Sequence, residues 1–344
     1  SVRFVADRAR ELEWPRRVGF DNSGRALVAS VSEGLYLPVD DERWGAVLRN
    51  EECFSTHGGL SFPALGLLTN RSHASFIWVD DLHNEVCLRL SDEDRLEARA
   101  VHQFRERDEL PALEVVIVVT EANPISLALE YRRWLESRAG ETLAEKAETV
   151  PELEQLFGAT HAYLFGDGRT LAALERLQGL GLDRMWLGYD QDERSDELLV
   201  DERFIARARE LGYLIGPYDT HNNVQDPRSS DSPMSLYNQA LFESGAVVDR
   251  EGAPVPGFRG RGFLLSSEAL RQTGFFERRV ERFVATGVNS YFLDCDAFGD
   301  LVDDYHPSHP MTRRRDRQNK LARLFYLSRT RRLVTGSESA AGWS

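Results

Sequence analysis

The sequence predicts a multidomain chain: an N-terminal antiparallel β-sandwich, then a (β/α)8 barrel of the TIM type that is truncated after about five strands. Three observations predict it. The first 120 residues hold short runs of β-branched and aromatic residues between turn-forming clusters, without helical spacing. At Asn123-Pro124 the pattern switches to apolar residues at helical intervals. From Ala159, short apolar runs alternate with amphipathic segments, and an acidic residue follows each run. The corresponding boundaries are a β-sandwich domain over 1–122, a helical linker over 123–157 and an incomplete catalytic barrel over 158–344.

In the first part, Ala26–Val31, Ser75–Val79, Glu85–Leu90, Ala98–Phe104 and Leu113–Val119 read as strands. Turns such as Asp21-Asn22-Ser23-Gly24 and Thr56-His57-Gly58-Gly59 separate them. Ile125–Ala139 has helical spacing, with Leu127, Tyr131, Trp134 and Leu135 apolar and Arg132, Arg133 and Glu136 between them. Thr142–Phe157 is a charged segment broken by Pro151. The βα alternation then gives strands at His161–Phe165, Met185–Tyr189, Tyr213–Tyr218, Asn289–Leu293 and Arg332–Thr335. Helices are expected at Arg169–Leu180, Asp201–Leu211, Phe275–Thr286 and Asp316–Thr330, with Gly212 and Gly287 as stop signals. Asp219–Arg261 reads as irregular.

Length and composition narrow the function. With 344 residues there is room for two domains. The longest apolar run, Val115–Val119, is far short of a membrane span, which needs about 20 residues. Acids outnumber bases 56 to 42, giving a formal charge of −14, which argues against a nucleic-acid or anionic-lipid partner. The local exception, Arg313–Arg315 with Arg317 and Lys320, reads as a solvated helix face. Cys53, Cys87 and Cys295 are too few and too scattered for a disulfide framework or a zinc site. Location is left open between the cytoplasm and secretion.

The acidic residues after the strands are Asp167, Asp190, Asp219, Asp294 with Asp296, and Glu338. In a (β/α)8 barrel these positions line the active-site face. Asp294 and Glu338 end neighbouring strands, so they can face a glycosidic bond together, one as nucleophile and one as acid/base. Gly216-Pro217-Tyr218-Asp219-Thr220-His221-Asn222 groups an aromatic ring with hydrogen-bonding side chains, as a polyol-binding loop would. Trp343 is placed to stack on a sugar. The substrate-binding candidates are therefore Asp190, Tyr218, Asp219, His221, Asn222, Asp296 and Trp343. No metal ligands are assigned: the acidic run from Asp294 fails the EF-hand spacing, and prolines interrupt the pair His306 and His309. No GxSxG elbow is present.

Phe292-Leu293-Asp294-Cys295-Asp296-Ala297-Phe298-Gly299, Asp303-Asp304-Tyr305-His306-Pro307 and Thr335-Gly336-Ser337-Glu338 resemble glycoside hydrolase family 129 and its relatives. That group holds α-N-acetylgalactosaminidases and is distantly similar to the family 101 endo-enzymes. Tyr218-Asp219-Thr220-His221-Asn222 also resembles the loop after its third barrel strand. The resemblance runs from about Leu143 to the chain end, more loosely over the β domain. It implies a β-supersandwich, a (β/α)8 catalytic domain and retaining hydrolysis of α-linked N-acetylgalactosamine, with Asp294 as nucleophile and Glu338 as acid/base. No organic cofactor is expected; the family can bind calcium, with ligands not placed on this sequence.

The expectation is thus a retaining α-glycosidase with a carbohydrate or glycoconjugate substrate. Two other readings stay open. One is a non-catalytic carbohydrate-binding protein on the same scaffold. The other is a metal-dependent hydrolase using Asp294, Asp296, His306 and His309. The chain starts at Ser1 and ends six residues after Glu338. Three more βα units would need roughly 75–100 residues, so the chain reads as a fragment, expected to be inactive or poorly soluble alone.

Overall fold

The computed structural model describes residues 1–19, 24–91, 95–108, 112–138, 141–191, 198–226, 228, 238–297 and 300–338. The chain divides into two compact units, built mainly on Ser1–Gly140 and on Glu141–Phe298 with Val302–Ser339.

The first unit has two antiparallel sheets. One runs Val2–Phe4, Leu113–Glu121, Ser72–Trp78, Ala64–Thr69, Gly24–Ala29, Leu35–Pro38 in spatial order. The other runs Arg10–Glu13, Leu96–Phe104, Asn84–Leu90, Glu52–Ser55, with Val18–Gly19 also pairing to Leu96–Phe104. Alternation explains which residues turn inward. In Leu96–Phe104 the buried Leu96, Ala98 and Ala100 are two apart, and all enter the core with Phe104. The same core takes Leu27, Leu65, Leu67, Phe76 and Trp78 from the first sheet and Val86 and Leu88 from the second. One apolar layer shared by two sheets is sandwich packing.

Two expectations are corrected here. Glu52–Ser55 and Asn84–Leu90 put Cys53 opposite Cys87, and the two form a disulfide. Spacing along the chain says nothing of strand register, so a count of three cysteines concealed the pair. The segment 123–157 is also not one bridge. Helix Ser126–Glu136 belongs to the first unit, where Leu127 and Tyr131, four apart on one helical face, pack on Ala64 and Ile77. Helix Leu143–Thr149 and the turn Pro151–Leu156 belong to the second unit.

The second unit is built on a parallel sheet of five strands, Thr160–Leu164, Met185–Tyr189, Leu214–Thr220, Ser290–Asp294 and Val334–Gly336, adjacent in chain order. Helices Leu171–Gly179, Glu202–Glu210, Phe275–Ala285 and Arg313–Phe325 connect them. Thr170, Asp201 and Thr312 cap three of these helices, each side chain accepting a hydrogen bond from a first-turn N–H. Gly212 and Gly287 adopt positive φ just past their helices, as expected of stop signals. The helix side of the sheet buries Leu187, Tyr189, Ile215, Tyr291 and Leu293 with Phe204, Phe276 and Phe283. The opposite side packs Trp186, Leu214 and Val334 against Val150 and Leu153.

The third and fourth strands run further than the sequence suggests, so Asp219 and Asp294 lie inside them rather than after them. Asp219–Arg261 is not wholly irregular: Asn223–Val224 pairs with Phe263–Leu264, and Gln239–Ser244 is helical. The basic run at 313–320 is not a solvated face either. Arg315 binds Glu268 at 2.9 Å, and Lys320 is only 7% exposed. Two glycines set strand spacing. A Cβ on Gly216 would lie 1.8 Å from the Ser290 carbonyl oxygen, and one on Gly336 would lie 2.9 Å from the Phe292 ring.

Candidate active site

Strand register brings Asp294 and Glu338 together. Phe292 is paired with Gly336, so two residues further along each strand Asp294 and Glu338 come level on the same side. Glu338 lies just past its strand, and Ser337 ties that end to the neighbouring turn by accepting a hydrogen bond from the Ala297 N–H at 3.1 Å. Cys295, at φ 65°, turns the chain after Asp294 and places its Sγ 3.9 Å from a Glu338 oxygen. One carboxylate oxygen of Asp294, one of Glu338 and the Cys295 sulfur all lie within 4.8 Å of one another.

The surroundings of this pair are aromatic. Tyr218, paired in register with Phe292, stacks on its ring at 5.2 Å and donates from its hydroxyl to Asp294 Oδ2 at 2.7 Å. Tyr163 meets Tyr218 edge-on at 5.2 Å, and Trp186 touches both Tyr163 and Phe292. Electrostatics follow from proximity. The Asp294 charge beside Glu338 raises the Glu338 carboxyl above its ordinary value. Burial, then the same two carboxylates, push the Cys295 thiol up to about 12, so it stays protonated at neutral pH.

The other acidic candidates are held by cations. Asp219 accepts both Arg279 Nε at 2.7 Å and Arg279 Nη2 at 3.0 Å, together with the Tyr291 hydroxyl at 2.5 Å. Burial raises its carboxyl to about 7, against the pull of the Tyr291 hydroxyl and the Thr220 N–H. Asp296 accepts a two-pronged bond from Arg323, both at 2.7 Å, and Asp190 is bound by Arg169. His221 is buried, edge-on to Phe276, with burial pushing its imidazole down to about 3. Asn222 accepts from the Thr220 hydroxyl at 2.8 Å. The structure therefore brings Asp294, Glu338 and Tyr218 together, and engages Asp190, Asp219, Asp296 and Asn222 with other side chains. Trp343 lies outside the described residues.

Tyr163 is the residue that sequence reading passed over. It is 47% exposed and feels the charges of Asp294 and Glu338. Its signal was alternation: Tyr163, Trp186, Tyr218 and Phe292 each sit on one side of a successive strand.

His309 uses Nδ1 on Asp304 and Nε2 on the Ser244 carbonyl, while Arg323 holds Asp296, so Asp294, Asp296, His306 and His309 do not form one ligand set. Among the described residues, Asp, Glu, His and Cys donors converge at Glu51, Cys53 and Cys87, where both sulfurs are in the disulfide, and at Asp294, Cys295 and Glu338. A thiol in the second group does not suit calcium, which takes oxygen donors. A separate cleft of about 580 Å³ is lined by Arg209, Arg331 and Arg332, remote in sequence from Asp294. Arg209 binds the Gly287 carbonyl, and Arg331 binds Glu281 and Tyr326.

Residues 176–344 match the family model described as glycosyl hydrolases related to the GH101 family, GH129. The resemblance carried by the motifs holds over these residues. No curated protein matches the chain. Among solved structures, the chain is similar to the alpha-N-acetylgalactosaminidase NagBb from Bifidobacterium bifidum in its GalNAc complex, at TM-score 0.77 and 16% identity, covering 99% of this chain and 62% of that one. The Gal-NHAc-DNJ complex of the same enzyme gives 0.73 and 18%, covering 97% and 59%. A cycloalternan-degrading enzyme from Trueperella pyogenes gives 0.58 and 12%, covering 97% and 51%. At these identities the likeness is one of fold: antiparallel sheets followed by a five-stranded parallel sheet. The chain spans less than two thirds of the length of these relatives.

Proposed function

We propose that the protein is a retaining α-glycosidase acting on terminal α-linked N-acetylgalactosamine or a closely related sugar, and that its parallel sheet is part of a (β/α)8 wall. The observation that carries this is the Asp294–Glu338 pair at neighbouring strand ends, with oxygens within 4.8 Å. Retaining enzymes hold their two carboxyl groups roughly 5–5.5 Å apart, and inverting enzymes roughly 6.5–9.5 Å, to admit a water. The strand order supports the barrel wall, because it lacks the reversal that marks a doubly wound sheet. The family match supports the reaction class, and the likeness to NagBb, solved with GalNAc, supports the sugar.

In this reading Asp294 attacks the anomeric carbon. The bond to the leaving oxygen breaks, and that oxygen takes the proton of Glu338. A water then gives its proton to Glu338 while its oxygen attacks the anomeric carbon, and Asp294 is released as a carboxylate. The division of roles follows from charge: the Asp294 charge favours the protonated form of Glu338, and Tyr218 donates a hydrogen bond to Asp294. Tyr163 supplies an exposed ring beside the pair for a sugar face.

The test is hydrolysis of a panel of aryl α- and β-glycosides, with the first-formed anomer followed by proton NMR. The expected product from the α-linked substrate is the α-anomer. First formation of the β-anomer would remove the retaining mechanism. Asp294→Asn and Glu338→Gln are expected to abolish turnover of poorly activated substrates, and wild-type turnover in either would remove that role.

A further inference from the structure

We propose that Tyr218 is a positioning residue that holds Asp294 through Oδ2 and stabilises its charge as the sugar is released. The proposal rests on the glycosidase reading above. Two observations carry it. The Tyr218 hydroxyl donates to Oδ2 at 2.7 Å. The ring that carries the hydroxyl cannot swing, since it stacks on Phe292 at 5.2 Å and 11° and meets Tyr163 edge-on at 84°. Sheet geometry makes the contact. Tyr218 is level with Phe292, and Asp294 is its diagonal neighbour two residues further along the same side, within reach of a long side chain.

When an oxygen of Asp294 bonds to the anomeric carbon, the carboxylate becomes an ester and loses its charge. When water attacks the anomeric carbon, the ester bond breaks and negative charge returns to the carboxylate, where the phenol stabilises it. Burial and the Asp294 charge hold the phenol protonated, so it remains a donor through both steps. A donor of this kind is strongest when the carboxylate is charged. Its removal therefore slows release of the sugar more than its capture.

The test compares the wild type with Tyr218→Phe, which keeps the ring and removes the donor, on a dinitrophenyl α-glycoside whose leaving group needs little help. The expected result is a kcat lower by about 10- to 100-fold, with KM falling in parallel as the covalent intermediate accumulates. The acid limb of the pH profile is expected to move to higher pH, because the charged carboxylate loses a donor. A KM that rises with kcat unchanged would make Tyr218 a substrate contact and overturn the proposal. Fluorotyrosine at position 218 provides a second arm, altering donor strength with little change of shape. There the acid limb is expected to move the opposite way, and an unmoved limb overturns the proposal. Asp294→Asn is run alongside. Wild-type turnover in that variant sinks the glycosidase reading and this proposal with it. Loss of turnover there, with Tyr218→Phe unchanged in kcat, KM and acid limb, leaves the glycosidase reading standing and overturns the positioning role alone.

Discussion

The two sides of the parallel sheet treat the same residue type in opposite ways. Asp219 on the helix side, and Asp296 in the turn after the fourth strand, each meet a buried guanidinium. On the other side, Asp294 receives a phenol, and its nearest charged neighbour is another carboxylate, Glu338. A strand alternates its side chains, so a single residue step separates Tyr218, which faces the carboxylate pair, from Asp219, which faces the helices. A guanidinium neutralises a carboxylate and fixes both oxygens in a fork. A neutral donor fixes one oxygen and leaves the charge in place. Acidic residues near strand ends are thus of two kinds here, and the identity of the partner, arginine or tyrosine, separates them.

The largest expected effect tests that separation directly. Asp294→Asn is expected to reduce kcat by roughly 10⁴-fold while leaving the thermal midpoint near that of the wild type, read by activity assay and calorimetry on the same sample. Asp296→Ala is expected to do the reverse. Removing one partner of a buried ion pair costs about 3–5 kcal/mol, because Arg323 would be left buried and unpaired; chemical denaturation measures it. A catalytic loss in Asp296→Ala without a stability loss would break the comparison.

Two pH effects sharpen it further. Glu268 is held by Arg271 first, then by Arg315 and Asn319, which lower its carboxyl from 4.5 to about 2. A lowered folded-state value means that the stabilisation is present above pH 4.5 and lost as the pH falls toward 2. Denaturation midpoints should fall across that window in the wild type and less in Glu268→Gln. Glu338 moves the opposite way, since its neighbour is an anion. The basic limb of the activity profile is therefore expected above the ordinary carboxylate range. In Asp294→Asn, an NMR titration of Glu338 should return toward 4.5. A Glu338 titration unaffected by Asp294→Asn would remove the electrostatic link between the two.

Much of this arrangement was legible in the sequence, and what was not has identifiable causes. Apolar runs such as Met185–Tyr189 found a parallel strand to the residue, because both its faces are buried and alternation is absent. The pair Asp294 and Glu338 was legible because strand ends share one end of a parallel sheet. The roles of Asp190, Asp219 and Asp296 were not legible as ion pairs, since their arginines lie 21, 60 and 27 residues away on other elements. Cys53 and Cys87 were hidden by the same separation of partners along the chain. Short strands such as Glu52–Ser55 and Ala64–Thr69 were missed: the first is short and half polar, and the second is a run buried from Ala64 to Leu68 without period.

Gly216 carries a last consequence. Its place beside the Ser290 carbonyl has no room for even one further carbon, and Ser290 begins the strand that ends in Asp294. Tyr218, two residues on from Gly216, must reach across that gap. The reach between phenol and carboxylate is thus gauged by an absent methyl group, at a position that touches neither. An alanine there would act as a shim, prising two strands apart and lengthening one hydrogen bond while leaving every side chain at the carboxylate pair intact.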